Sequence, residues 1–325
     1  MATEGEQPTV PLAGGAALPL LGFGTWQMTG GECYRAVRYA LQVGYRHIDT
    51  ATMYGNEWEV GRAVRDSKLR RQDVFLTTKL PPGEAGRERR TLERSLRELD
   101  VDYVDLWLVH WPPPGRAGVE VWKRFLRLRD EGLARAVGVS NYSLAQLDEL
   151  RRETAELPQV NQIRWGPALY DPGQLAEHRR RGVVLEGYSP FKTTDLRHPL
   201  LVEAARRHRV TPAQVVVRWH IEHGVVVIPK SATPARIAAN FDVFDFASTT
   251  TRWRASTPCP ERCAGRPPGC DVPPRPRRPA QGGEGVTPGG GGSRAGRPST
   301  RLPTRRRSPP PPPRPGRGCG ARRRD

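Results

Sequence analysis

Apolar residues gather in short runs near positions 20–25, 45–50, 74–79, 104–110, 134–140, 159–164, 183–189 and 225–230. Runs of that length, bounded by polar residues, glycine or proline, predict strands. Between them apolar positions recur every three or four residues, which predicts helices over 32–43, 57–66, 87–99, 119–131, 144–152, 174–181, 199–209, 212–222 and 234–241. Strands separated by a whole helix are too far apart in the chain for hairpins, so they cross over and lie parallel. Eight strand candidates in such an alternation predict a closed (β/α)8 TIM barrel of the α/β class rather than an open, doubly wound sheet. Ahead of them the segment 8–19, PTVPLAGGAALP, alternates around a Gly-Gly centre and predicts a small β-hairpin.

The polar residues fall where this architecture makes them useful. The stretch 44–55, GYRHIDTATMYG, is a strand that ends on Asp49 and reaches Tyr54 five residues later. VFLTTK ends on Lys79, VDLWLVHW carries His110, and ARAVGVSN ends on Ser140 and Asn141. In a parallel barrel all carboxyl ends open on one face, where catalysis takes place. Gly22-Phe23-Gly24 lacks the third glycine and the nearby acid of a Rossmann fingerprint, so any dinucleotide is held in another way.

Charge separates two regions. The whole chain of 325 residues carries 52 Lys+Arg against 34 Asp+Glu, but up to Ser248 the count is 34 against 30, leaving 18 against 4 beyond it. The first region has an ordinary globular composition, long enough for one sizeable core, and nothing in it calls for nucleic acid. The start, MATEGEQPTV, has no apolar leader, and no apolar run reaches about 18 residues, so a cytoplasmic protein without a membrane partner is expected. Cys33 alone lies before residue 249, which leaves no disulfide framework there.

Chemistry links the rim residues. A tyrosine with its ordinary pKa of about 10 needs help to act as a proton donor at neutral pH. A neighbouring lysine lowers that pKa, and a carboxylate holds the lysine in place. Tyr54, Lys79 and Asp49 supply these parts, and His110 could orient a carbonyl or share in proton transfer. Singly, Lys79 reads as a strand-end lysine, His110 as a core histidine and Asp49 as a helix cap. Together, at successive strand ends, they read as a site.

The motifs GFGTWQ, HIDTATMYGNE, TTKL, LVHWP, GVSNYS, VNQI, EGYSPF and VIPKSATPARIAANF resemble the aldo-keto reductase family in order and spacing, from about Leu20 to Phe246. The short connection WPPPGRAG after His110 resembles the compact bacterial members, of the diketogluconate reductase type. The resemblance implies NADP(H) lying extended across the carboxyl face and the reduction of an aldehyde or ketone, a small carbonyl substrate. It assigns Tyr54 as general acid, tuned by Lys79 and Asp49, with His110 steering the carbonyl. It places Ser140, Asn141 and Gln162 on the nicotinamide carboxamide, Tyr188 on the nicotinamide ring, and Gly24, Thr25, Asp49, Ser189, Pro190 and Phe191 along the cofactor. Lys230, Ser231, Thr233 and Arg236 match the clamp on the adenosine 2′-phosphate, which suits a dianion. Asn240 is retained beside the adenine, whereas Ala239 stands where many members have glutamate, so adenine recognition is expected to be weaker. Trp26, Tyr54, His110 and Trp111 are the expected substrate walls, with Trp165 as a further candidate; no metal is expected, and the protein is expected to be a monomer.

From 249 to 325 the chain has 17 Pro, 13 Gly and 18 Arg, with no Lys, Ile, Phe or Met. Such a segment cannot bury a core and is expected to be disordered. Arg without Lys is also what GC-rich DNA yields out of frame. Read with a shifted frame and suitable synonymous codons, residues 247–259 give Leu-Asp-Asp-Asp-Glu-Met-Ala-Arg-Ile-Asp-Ala-Leu, which resembles the family's helix at this point. The division is therefore 1–248, barrel, and 249–325, tail of out-of-frame origin. Losing the usual C-terminal helix and loop would leave NADPH binding intact, weaken substrate binding and lower stability. Other readings are a catalytically impaired NADPH-binding protein on a reductase barrel and non-specific binding of an anionic polymer by the tail. Cys259, Cys263, Cys270 and Cys319 lack the paired spacing of a metal site.

Overall fold

A computed structural model describes residues 7–115 and 117–247. The expectations about the 249–325 tail, its four cysteines included, lie outside the described residues. Strands β1 (Thr9–Pro11) and β2 (Ala17–Pro19) form the expected antiparallel hairpin, turning at Gly14 and Gly15, whose φ angles of +88° and +89° suit glycine. Eight further strands follow: β3 (Phe23–Gly24), β4 (His47–Asp49), β5 (Phe75–Leu80), β6 (Val104–Val109), β7 (Ala134–Ser140), β8 (Val160–Arg164), β9 (Val184–Tyr188) and β10 (Val226–Val227). Each pairs in parallel with the next in sequence order, from β3 to β10. The sheet closes on itself: Gly22 N–H donates to the Val227 carbonyl at 2.8 Å, Val227 N–H to Leu20 at 2.9 Å, and Gly24 N–H to Pro229 at 3.1 Å. The expected barrel is thus observed, with β10 shorter than its apolar run because Pro229 has no N–H to extend the ladder.

Helices α1 (Gly30–Val43), α2 (Glu57–Asp66), α3 (Glu88–Leu99), α4 (Ala117–Asp130), α5 (Leu144–Thr154), α6 (Pro172–Arg180), α7 (Pro199–His208), α8 (Pro212–Glu222) and α9 (Pro234–Phe241) agree with the expected ones to within two residues at each end. Local chemistry explains where they start. Helix α6 starts at Pro172 because the Asp171 carboxylate accepts from the N–H groups of Gly173 and Gln174. Helix α5 starts behind a reciprocal cap in which Ser143 and Gln146 bond each other's backbone. No helix among the described residues is long and apolar enough to cross a membrane.

Two apolar layers hold the barrel. Outside, helices pack on outward-facing strand residues, with Trp107 of β6 stacked on Phe125 of α4 at 3.7 Å between ring centres. At the amino end, Leu12 and Leu18 of the hairpin plug the opening against Phe75, Leu106, Ala136 and Val226. The amino end is thereby filled with hydrocarbon, and the carboxyl end remains for polar work. Where α2 meets α3, Gly61 is indispensable, since a Cβ there would lie 2.2 Å from the Leu99 carbonyl oxygen. Gly61→Ala is expected to destabilise the fold by about 1–3 kcal/mol, read as a lowered Tm; an unchanged Tm would contradict this packing.

Candidate active site

Asp49 and Lys79 end adjacent parallel strands, so their side chains meet inside the barrel mouth. Lys79 Nζ lies 2.7 Å from both Asp49 carboxylate oxygens and 2.7 Å from the Thr50 carbonyl. Lys79 is fully buried and Asp49 nearly so. Three charged or carbonyl oxygens around one ammonium compensate its desolvation. Burial, the largest single influence, pulls the Lys79 pKa down, but Asp49, Tyr54 and Glu186 together outweigh it, and the net shift is upward. Lys79 is therefore a fixed cation. Gln162 Nε2 donates to Asp49 Oδ2 at 2.8 Å from across the barrel.

Tyr54 sits in the turn after β4, with Lys79 Nζ 5.2 Å from its ring centre. Its ring meets that of His110 edge-on at 5.7 Å. Burial raises the phenol pKa and Lys79 opposes that rise; the net result is upward. In this state Tyr54 holds its proton more firmly than an ordinary tyrosine, so the lowering expected from Lys79 alone is only a partial offset. His110, buried and beside the same cation, is pushed down to about 3 and is a neutral imidazole. Its Nδ1 has no partner among the described residues. The arrangement is a protonated phenol and a neutral imidazole facing one space, with a cation behind the phenol.

Polar side chains on the next strands are tightly set. Asn141, in the left-handed region at φ 65°, donates to the His110 carbonyl at 3.1 Å and to Ser140 Oγ at 2.9 Å, and accepts from the Tyr188 hydroxyl at 2.8 Å. Ser140 Oγ donates to the Gln162 carbonyl at 2.8 Å. This network orients the half-buried Tyr188 ring in the cleft. The cleft has a volume of about 640 Å³. Gly24, Asp49, Ser140, Asn141, Gln162 and Tyr188 line it, as do Ser189, Pro190, Phe191 and Lys230. Trp26 and Trp111, 44% and 45% exposed, stand at its mouth as the sequence suggests. Trp165 does not: it is buried among Leu175, Leu185 and Trp219 in a separate core cluster.

The remaining expected residues lie off the cleft proper. Thr25 is buried and supports the site from behind, its hydroxyl donating to the Asp49 carbonyl at 3.0 Å. Ser231 and Thr233 lead from Lys230 into α9, with Thr233 N–H donating to Ser231 Oγ at 3.1 Å. Arg236 donates to Thr233 Oγ1 at 2.6 Å, and Asn240 is buried near the end of α9. Lys230 and Arg236 are exposed and have no carboxylate partner among the described residues. Two unpaired cations, hydroxyls and the amino end of an eight-residue helix form a donor set that fits a phosphate dianion.

Sequence reasoning missed several participants. Met53 and Ile228 add apolar wall, and Lys192 reaches over the Trp26 ring at 4.2 Å. Asn56 ties the loops after β3 and β4 together, donating to the carbonyls of Thr25 and Met28 and accepting from Thr50. Glu186, fully buried inside the barrel, could have been noticed as a lone acid within the apolar run VVLEGY.

A closed parallel barrel with a buried lysine–carboxylate pair, a tyrosine and a histidine at its carboxyl mouth defines an oxidoreductase of the barrel type. The Aldo/keto reductase family model matches residues 20–258. An aldo-keto reductase of Mycolicibacterium smegmatis is 44% identical over 243 residues, covering 74% of this chain and 88% of that protein. The methylglyoxal reductase DkgA of Escherichia coli K12 is 41% identical over 244 residues, covering 74% and 89%. The crystal structure of an aldo/keto reductase from Brucella melitensis superposes with a TM-score of 0.74 at 43% identity, covering 77% of this chain and 98% of that one. A Bombyx mori aldo-keto reductase in complex with NADP superposes at 0.72 with 31% identity, covering 77% and 92%. The chain belongs to the aldo/keto reductase family, whose members are NADP-dependent oxidoreductases.

Proposed function

We propose that this chain reduces a small aldehyde or ketone to the alcohol with NADPH, with Tyr54 as general acid. The observation that carries the reading is the convergence of Tyr54 with the buried Lys79 ammonium, 5.2 Å from its ring centre, and with His110, edge-on at 5.7 Å. When bound, NADPH supplies the hydride. Ser140, Asn141 and Gln162 would hold the carboxamide, and Tyr188 would present its ring face to the nicotinamide. His110 would donate a hydrogen bond to the carbonyl oxygen and place it at the Tyr54 hydroxyl. As charge develops on that oxygen, Tyr54 gives it a proton, and Lys79 stabilises the phenolate left behind. Asp49 keeps Lys79 in line and charged.

Trp26, Met53 and Trp111 make the entrance apolar, which suits small carbonyl compounds over polyols. The methylglyoxal reductase relatives make small dicarbonyls the first substrates to try. Mixing the chain with NADPH and a panel of aldehydes, ketones and dicarbonyls, and following cofactor oxidation, tests the reading; no oxidation with any of them would refute it. The activity is assigned to the barrel, residues 1–248, within which all the named groups lie. His110 is neutral well above pH 3, so the reduction rate is expected to show no inflection near its ordinary pKa of 6.5. The unpaired Lys230 and Arg236 favour NADPH over NADH. Arg236→Ala is expected to weaken NADPH binding by about 10- to 100-fold, the worth of a charge-assisted contact of about 1.5–3 kcal/mol, with NADH binding unchanged in the same fluorescence titration. Equal losses for both cofactors would place the 2′-phosphate elsewhere.

A further inference from the structure

Beneath the Asp49–Lys79 pair, the barrel interior holds a second acid that the mechanism above does not use. Glu186 lies in the middle of β9, fully buried, and neither carboxyl oxygen has a hydrogen-bond partner among the described residues. Its side chain points inward with that of Gln162, its register partner on β8; its other strand neighbour, Val226 of β10, is apolar. Gln162 Nε2 donates to Asp49. From β4 come His47, whose Nε2 lies 3.8 Å from Glu186 Oε1, and Asp49; from β5 come Thr77 and Lys79. His47 cannot serve as a counter-cation: burial and Lys79 push it down to about 3, and its Nε2 is within 3.1 Å of the Thr77 hydroxyl.

Among the described residues the interior therefore offers one cation, Lys79, and Asp49 already holds it with both oxygens. An ionised Glu186 would be a buried charge without a hydrogen bond, an arrangement that costs several kcal/mol. Desolvation, reinforced by Asp49 and only partly opposed by Lys79 and the neighbouring Gln162 amide, pushes its pKa up from 4.5 to about 8.

We propose that Glu186 is a positioning residue for the carbonyl reduction: by keeping its proton it leaves Asp49 the sole carboxylate acting on Lys79, and so leaves the field of that cation at Tyr54 undiminished by a second negative charge when Tyr54 gives up its own proton. The inference rests on the reductase reading of the same site. Once Glu186 ionises, a second negative charge offsets Lys79. The phenolate left by proton donation then loses stabilisation, and reduction slows. Cofactor affinity is unaffected, because the cationic cluster at Lys230 and Arg236 lies on another loop and α9.

The test compares the wild-type chain with Glu186→Gln, which keeps the shape and cannot ionise. At saturating NADPH, wild-type kcat for reduction is expected to fall with a midpoint near pH 8 to a lower plateau, as for ionisation of a group that tunes the rate without itself transferring the proton. In E186Q that fall is expected to move to the higher pH at which Tyr54 itself ionises, with the NADPH Kd equal in both chains. A fall near pH 8 that E186Q retains, or a wild-type rate flat through pH 9, would overturn the proposal. A second measurement needs no turnover. The folded-state pKa is raised, so the stability that the Glu186 proton contributes is complete below 4.5 and is lost as pH rises towards about 8. The Tm of E186Q relative to wild type should therefore climb across that window, and a constant difference would refute the buried proton. Should E186Q fail to fold, the infrared band of a protonated carboxyl in the wild-type chain is expected to disappear as pH rises through about 8, and its absence at neutral pH would refute the buried proton equally. Absence of turnover in both chains with the Tm trend present would refute the reductase reading and the positioning role together, while confirming the protonated acid.

Discussion

Tyr54→Phe is expected to remove carbonyl reduction while leaving NADPH binding within about twofold of wild type. The phenyl ring keeps the edge-on contact with His110 at 5.7 Å and the position over Lys79, so the cleft retains its shape. What is lost is the hydroxyl placed between a fixed cation and the space His110 faces. General acid catalysis by a positioned group contributes about 10²–10⁴-fold, and kcat should fall by at least that much. The measurement is kcat in the presence of saturating NADPH together with the cofactor Kd by fluorescence. A variant retaining more than about a tenth of wild-type kcat would assign proton donation to another group, and His110 would be the first to examine.

Asp49→Asn is expected to have the largest effect on the fold itself. Asp49 meets Lys79 through both oxygens at 2.7 Å, and Lys79 is wholly buried. The amide would keep the shape but take away the bonded counter-charge, leaving only Glu186, which otherwise holds its proton, to balance the ammonium. Removing one partner of a buried ion pair costs about 3–5 kcal/mol. For a domain of this size each kcal/mol lowers Tm by about 2–4 °C, so a drop of about 10 °C is expected in a thermal scan at neutral pH. Part of the loss should be relieved at high pH, where the unpaired Lys79 sheds its proton. A Tm within about 2 °C of wild type, in a chain that also carries Glu186→Gln so that no second acid can take over, would mean that Lys79 is already neutral in the folded chain, and the electrostatic account of Tyr54 would fall with it.

Periodicity alone carried most of the architecture. The alternation of apolar runs with helical segments located the eight parallel strands and the hairpin because each buried face leaves a direct imprint on the residues that make it. It overstated β10, whose regular ladder stops at Val227: Pro229 still accepts from Gly24 through its carbonyl but has no N–H to donate in return. It placed the start of α6 late, because the cap there is a single Asp171 side chain and not a hydrophobic pattern.

The site was legible at strand ends and less so elsewhere. Asp49, Lys79, Tyr54 and His110 announce themselves as polar residues closing apolar runs, and they do converge at one mouth. Trp165 misled because its sequence position beside β8 resembles that of a wall residue, whereas its indole turns into the outer core with Trp219. Lys192 lies just past the EGYSPF motif, and Met53 sits inside HIDTATMYGNE as an apolar residue with no polar chemistry to mark it; the path of their loops brings both to the cleft. The direction of the Tyr54 shift also needed three dimensions, since how strongly burial opposes the Lys79 charge depends on the packing around the ring.

The most direct test of the account is transfer of the hydride itself. The chain would be incubated with NADPH carrying deuterium on the nicotinamide carbon that donates, together with methylglyoxal or another accepted carbonyl compound, and the alcohol product analysed by mass spectrometry. The account predicts one deuterium on the former carbonyl carbon in the wild-type product and no product above background with Tyr54→Phe. Tight NADPH binding with no deuterated alcohol from any carbonyl compound would contradict it and leave a barrel that holds the cofactor without using it.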